Sequence, residues 1–258
     1  MTFADGRLAR LLEAAEAANA RGCAGPDIAL IEAGGGCGVF AGADSPLTQV
    51  VGMGLDGPVR AADLDAVEAF LRSRGAGVTI DLCPLADPRL LEELVRRGYR
   101  PTEFNNVLEK RLAGISIVLT PRVRRAVAGE DDLWSHAVGR GFFEQSDLTT
   151  AEMDVGRHVF AMPEALCYLA VAEGREPAGG AAMSVRDGLA TLFADATIPR
   201  HRRQGFHAEL IAARLNEAIA RGCELASATT LPGSASQRNY ERMGFEVVYT
   251  KVTMVAGS

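Results

Sequence analysis

Apolar residues first return at helical spacing at Leu8, Leu11, Leu12, Ala15 and Ala18, which predicts an amphipathic helix over residues 6–21. Two short apolar runs follow, 28–32 and 38–41, parted by Gly34-Gly35-Gly36. No helical pattern follows these glycines, so they read as a hairpin turn rather than a phosphate loop. Residues 48–53 suit another short strand. Leu64, Val67 and Leu71 are in register for a helix over 61–74, which Gly75 ends, and 78–82 reads as a strand. Asp87-Pro88 opens the next helix, with the aspartate as N-cap and the proline in the first turn. That helix closes at Gly98-Tyr99, and 103–112 is strand-like.

The second half continues in the same vein. A strand is predicted at 115–119, then a helix over 129–140 whose acidic start, Glu130, Asp131 and Asp132, complements its dipole. Residues 141–156 are less regular. A strand pair, 166–173 and 178–185, is joined by Gly174-Arg175-Glu176-Pro177. Residues 189–198 are small and apolar and suit a buried strand, which Pro199 ends because proline has no N–H for a ladder. Arg200, His201, Arg202 and Arg203 crowd the turn before Gly205. Leu210, Ile211, Leu215 and Ile219 then mark a helix over 206–220, stopped by Gly222. A strand at 225–231, a turn at Pro232-Gly233-Ser234, a short helix over 234–243 capped by Ser234 or Ser236, and a strand at 247–255 complete the chain.

One order occurs twice: helix, glycine, strand, helix, glycine plus aromatic, strand. Gly75 and Gly98 lie 23 residues apart, Gly222 and Gly244 lie 22 apart. This points to an internal duplication, set against coincidence between two generic α/β segments. Residues 55–61, LDGPVRA, then hold the place of the basic loop. They keep one glycine, carry a proline and have no arginine before the glycine, and Leu94 stands in the place of Tyr240.

Composition narrows the classes. The 258 residues are 48% hydrophobic and 23% charged, as in a soluble globular protein of one large or two small domains. A net charge of -6 argues against a general nucleic-acid binder. Only Lys110 and Lys251 are lysine among 27 basic residues, which suggests coding bias and discounts arginine counts as signal. The 5 cysteines are scattered and form no C-x-x-C, so a reducing cytoplasm is expected, with neither a disulfide framework nor a metal site. Cys167 and Cys223 fall beside apolar segments and read as buried small hydrophobes. Asp5, Glu13 and Glu16 argue against a signal peptide, and no apolar run of about 20 residues predicts a membrane span.

The basic loop therefore reads as a site for a small anion. The first N–H groups of a helix lack internal partners, the dipole adds partial positive charge, and glycine lets a ligand approach the backbone. Neither a G-x-x-x-x-G-K-[ST] loop nor a G-x-G-x-x-G fingerprint is present there. Arg202-Arg203-Gln204-Gly205-Phe206-His207 instead resembles the acyl-CoA loop, [RQ]-x-x-G-x-[GA], of the GNAT superfamily of N-acetyltransferases. His207 departs from the usual glycine or alanine. Downstream, Tyr240-Glu241-Arg242-Met243-Gly244-Phe245 matches that superfamily's Tyr-x-x-x-Gly-Phe, in the right order and at the right separation.

The resemblance implies an α/β fold of two GNAT-like domains, each a mixed, mostly antiparallel central sheet flanked by helices. The expected boundaries are 1–112 for a degenerate domain and 113–258 for one binding acetyl-CoA. The implied function is transfer of an acetyl group from acetyl-CoA, as cosubstrate, to a primary amine by direct attack. A small-molecule amine is expected ahead of a protein lysine or N-terminus, on a monomer or homodimer with no nucleic-acid or membrane partner. By the same resemblance, the backbone of Ala196, Thr197 and Ile198 would pair with pantetheine. The N–H groups of Arg203, Gln204, Gly205, Phe206, His207 and Ala208 would hold the pyrophosphate. Tyr240 would protonate the leaving thiolate, and the adjacent Asn239 is a candidate to bond the pantetheine or a backbone carbonyl. Arg200 and Arg202 are candidates for the 3′-phosphate. Asp195 is the first candidate for general base and Glu144 the second. The alternative is a non-catalytic acyl-CoA-binding sensor or scaffold.

Overall fold

The computed structural model describes residues 4–23, 25–114, 117 and 121–257. In chain order its elements are α1 (Gly6–Gly22), β1 (Ala29–Ala33), β2 (Gly36–Phe40), β3 (Gln49–Val51), α2 (Ala61–Arg72), β4 (Thr79–Leu82), α3 (Pro88–Arg96), β5 (Arg100–Arg111), β6 (Val123–Arg125), α4 (Asp131–Phe142), α5 (Thr150–Phe160), β7 (Leu166–Val171), β8 (Pro177–Arg186), β9 (Leu189–Thr197), α6 (Phe206–Ala220), β10 (Leu225–Thr230), α7 (Ala235–Arg242) and β11 (Glu246–Val255). The strand expected at 115–119 lies outside the described residues. The chain divides into two compact units, 1–107 with 247–258, and 108–246. The final strand thus counts with the first unit, because β11 pairs antiparallel with β4 from Val252↔Leu82 to Val255↔Thr79.

In the first unit the strand order is β1-β2-β3-β4-β11-β5. β1 and β2 form the glycine hairpin, Ala33↔Gly36 at its tip, and β3 runs parallel to β4. The apolar stripe read from the sequence is the core face: Leu64, Val67, Leu71, Ile80, Leu90 and Leu94 are all buried. Asp87 caps α3, its carboxylate accepting from the Arg89 N–H at 2.9 Å.

In the second unit the strand order is β10-β9-β8-β7-β6. β6–β7, β7–β8 and β8–β9 are antiparallel, and β9–β10 is parallel. Each unit therefore holds a mixed, mostly antiparallel sheet with helices packed on it. Trp134 of α4 is fully buried and donates from Nε1 to Tyr168 O at 3.0 Å, which pins α4 to β7. Cys167 and Cys223 are buried, and burial pushes the Cys167 thiol up to about 12.

Two elements go beyond the sequence reading. The less regular stretch 141–156 contains the start of α5, where Thr149 Oγ1 accepts from the Glu152 N–H at 3.3 Å and the Glu152 carboxylate accepts from the Thr149 N–H at 2.8 Å. This reciprocal pair is a capping box, T-x-x-E. β6 is three residues long and leaves no periodicity to read.

Candidate active site

The end of β9 sets the geometry. Its register with β10 runs from Leu189↔Leu225 to Leu192↔Ala228. β9 then continues along β8, with Gly180↔Ala196 and Gly179↔Thr197, and between these stretches the register slips. Ala194 takes φ 54 there, an unusual conformation for a residue with a Cβ, and forms a bulge. The backbone of Ala196, Thr197 and Ile198 lies past the β10 register, and the Ile198 N–H donates back to Ala178 O at 2.9 Å. α4 comes close at this point: a Cβ on Gly141 would meet the Thr197 nitrogen at 2.9 Å.

The turn after β9 delivers α6. Arg203 at φ 62 and Gly205 at φ 89 are both left-handed. A Cβ on Gly205 would meet only Arg122 Nη2 at 3.5 Å and Glu209 Oε1 at 3.6 Å, so the backbone angle, not space, calls for glycine. No side chain of the N-cap Gly205 closes the helix. The N–H groups of Phe206, His207 and Ala208 lack intrahelical acceptors by geometry and sit at the positive end of the dipole. Left-handed residues beside such N–H groups shape a concavity for an anion.

Charged side chains brace the turn. Arg122, which sequence reasoning missed, lies over the Phe206 ring at 4.3 Å, pairs with Glu209 and donates to Gln204 O at 3.1 Å. Arg202 bonds Thr197 O at 3.2 Å, Gly141 O at 3.1 Å and Glu144 at 2.8 Å. Arg200 pairs with Glu176 at 2.8 Å. The two arginines weighed for a phosphate thus brace the loop, and Glu144 serves as the partner of one of them.

Behind the turn lies a cluster built on Arg214, which is fully buried. Its guanidinium pairs with Asp195, donates from Nε to Leu210 O at 3.0 Å and from Nη1 to Ala182 O at 2.9 Å, and reaches the Tyr240 oxygen at 3.4 Å. Tyr240, 1% exposed, donates its hydroxyl to Asp195 Oδ2 at 2.7 Å and stands edge-on to Phe245 at 4.9 Å. His207 Nε2 lies 3.4 Å from Asp195 Oδ1, and Asn239 Nδ2 lies 2.8 Å from His207 Nδ1. The bulge at Ala194 precedes Asp195, and α6 and α7 supply the remaining members.

The electrostatics follow from this packing. Burial would raise the Asp195 carboxyl, but the Arg214 charge, helped by His207, outweighs it and holds the group at about 2. Burial pushes Tyr240 well above its ordinary value, with Arg214 opposing and Asp195 reinforcing. The structure therefore brings Asp195, His207, Asn239 and Tyr240 into one cluster, which reaches the start of α6 through His207. A carboxylate at about 2 is a weak proton acceptor, so Asp195 is better suited to orienting its neighbours than to taking a proton itself. Arg214 had a sequence signal: it lies four residues after Leu210, on the apolar face of α6, where a charge needs a buried partner.

The class now follows. Residues 133–245 match the model of the acetyltransferase (GNAT) family, and this span holds the α6 turn and the whole Asp195–Arg214–Tyr240 cluster. Residues 133–245 thus carry an acetyltransferase domain of the GNAT type. Solved structures extend the likeness of fold over both units. A GCN5-related N-acetyltransferase from Kribbella flavida has a TM-score of 0.69 at 20% identity, over 97% of this chain and 96% of its own. A tandem GNAT protein from the clavulanic acid biosynthesis pathway has a TM-score of 0.64 at 14% identity, over 97% and 93%. A GCN5-related N-acetyltransferase from Sphaerobacter thermophilus has a TM-score of 0.58 at 15% identity, over 88% and 75%. No curated protein matches by sequence. The fold is that of two GNAT-like domains. Among the described residues no helix is long and apolar enough to cross a membrane.

Proposed function

We propose that the protein transfers an acetyl group from acetyl-CoA to a primary amine by direct attack, with a small-molecule amine as acceptor. The second unit carries the chemistry, and the first is a repeat without a cosubstrate site. The observation that supports this most is the start of α6. It is an uncapped helix terminus behind two left-handed residues, next to a strand end that has left its parallel neighbour. That terminus suits a pyrophosphate, and the free strand edge suits the amides of pantetheine. The thioester arrives activated, so positioning supplies much of the acceleration.

A rival reading is a sensor that binds acyl-CoA without turnover. One observation favours it: the Tyr240 hydroxyl is already engaged by Asp195 and Arg214. The first experiment separates these. Acetyl-CoA is titrated calorimetrically into the wild type and Gly205→Trp, with circular dichroism confirming that the variant folds. Binding that disappears in the variant supports the cradle. Thiol release in an amine screen then supports the enzyme over the sensor, and binding without release supports the sensor. No binding by the wild type would sink both.

A further inference from the structure

Acetyl transfer needs a proton removed from the attacking amine and a proton delivered to the departing sulfur. Three titratable groups stand at the end of β9. Asp195 is locked in a salt bridge with Arg214. Tyr240 is sealed off, with its hydroxyl proton directed at Asp195. His207 is different. It is the second residue of α6, its side chain is 15% exposed, and an imidazole can both take and give a proton near neutral pH.

The surroundings of the ring assign its tautomer. Arg242 Nη1 donates to Asn239 Oδ1 at 3.1 Å, so the Asn239 amide presents its N–H groups to His207. Asn239 Nδ2 then donates to His207 Nδ1 at 2.8 Å, which leaves the ring proton on Nε2, the nitrogen that lies 3.4 Å from Asp195 Oδ1. The carboxylate orients the ring and would stabilise it when protonated, and the working lone pair is on Nδ1. The ring also stands edge-on to Tyr240 at 5.7 Å, which fixes its plane. The titratable groups against it are Asp195 from β9 and Tyr240 from α7, while Arg214 of α6 and Arg242 of α7 bond Asp195 and Asn239, one partner removed.

We propose that His207 is the proton-transfer residue of this protein, with Asp195 as its positioning partner. This rests on the acetyl-transfer reading above. As the amine nitrogen bonds the carbonyl carbon, Nδ1 takes one amine proton. As the carbon–sulfur bond breaks, its electron pair leaves with sulfur, and Nδ1 returns the proton to that sulfur. Imidazole is regenerated and the products are an amide and a thiol. The Asn239 N–H holds the place at Nδ1 that a substrate N–H would take.

Two measurements test this. Nitrogen NMR on histidine-labelled, ligand-free protein, assigned with His207→Gln, should show the neutral ring protonated at Nε2 and gaining its second proton at Nδ1. A neutral ring protonated at Nδ1 would overturn the proposal. Turnover of acetyl-CoA with a panel of primary amines should show kcat about 100-fold lower in His207→Gln with KM for acetyl-CoA held, and the acidic limb of the pH profile lost. Wild-type turnover with a variant that keeps both rate and limb overturns this inference alone. A wild type that binds acetyl-CoA but turns over no amine overturns the enzyme reading, and this inference with it.

Discussion

The segments β3-α2-β4-α3 and β9-α6-β10-α7 share one order, with a parallel strand pair around the first helix in each. They differ at the helix start. α2 closes on itself: the Asp63 carboxylate folds back to accept from the Arg60 N–H at 2.9 Å and pairs with the Arg60 guanidinium at 2.6 Å. An internal anion thus fills the place that α6 leaves open. The preceding strands differ as well. β3 stops at Val51, whereas β9 bulges at Ala194 and runs on to Thr197. Within one order of elements, a cap and a strand length thus set the two helix starts apart.

The units also bury different ions. In the second, Arg214 and Asp195 form a matched pair. In the first, Lys251 is buried against Glu16 and lies 3.5 Å from Asp81, while Glu13 receives the Tyr249 hydroxyl at 2.7 Å and keeps its second oxygen, Oε2, without a partner. Burial raises the Glu13 carboxyl to about 7, with Lys251 only partly offsetting it.

The largest effect expected from this contrast is at Arg214. Arg214→Met removes the cation and strands a buried Asp195 carboxylate, which should cost roughly 3–5 kcal/mol. Trp134 is the protein's single tryptophan and is buried in the second unit, so its fluorescence reports that unit's unfolding. Its denaturant midpoint should fall sharply. A midpoint within error of the wild type would mean that the pair contributes nothing and that the cluster is not built on it.

Much of this contrast was readable from the chain. α6 runs from Phe206 to Ala220 as its periodicity predicts, and the Asp87 and Ser234 caps sit where their helices begin. What could not be read was burial of charge. Glu13 and Glu16 counted only against a signal peptide, yet Glu13 faces the core. The signal of Arg214, a charge on the apolar face of α6, was masked by the abundance of arginine, and Arg122 was hidden by its place before a strand too short to show a pattern. Partners from distant parts of the chain decide these cases, and a local pattern does not carry that information.

The next effect is in the pH dependence, where the units should respond with opposite sign. Glu13 has a folded value of about 7 against an ordinary 4.5. Between these values the folded protein holds a proton that the unfolded chain has released, so the first unit loses stability as pH rises through that window. Asp195 stands at about 2 against an ordinary 3.8, so its contribution is present above 3.8 and is lost as pH falls towards 2. Far-UV circular dichroism melts of the wild type and Glu13→Gln from pH 5 to 7.5 should show a decline that the variant lacks. Equal slopes in both would show that Glu13 ionises normally and that the orphaned oxygen is solvated.

The smallest effect addresses the helix starts themselves. Asp63→Ala removes the internal anion of α2 and should cost about 1 kcal/mol, the usual worth of a lost cap. Gly205→Ala forces a Cβ onto φ 89 with no clash nearby, and should also cost about 1 kcal/mol. The two changes match in stability and diverge in binding. Gly205→Ala should weaken acetyl-CoA binding, because strain relaxes the turn that aims the α6 N–H groups. Asp63→Ala should create no second binding event in calorimetry, since the N-cap Arg60 has φ -81 where Gly205 has φ 89, and β3 ends at Val51. A second equivalent of acetyl-CoA bound by Asp63→Ala would break the comparison. It would show that the cap alone separates the repeats, and that the bulge and length of β9 are not needed to make a site.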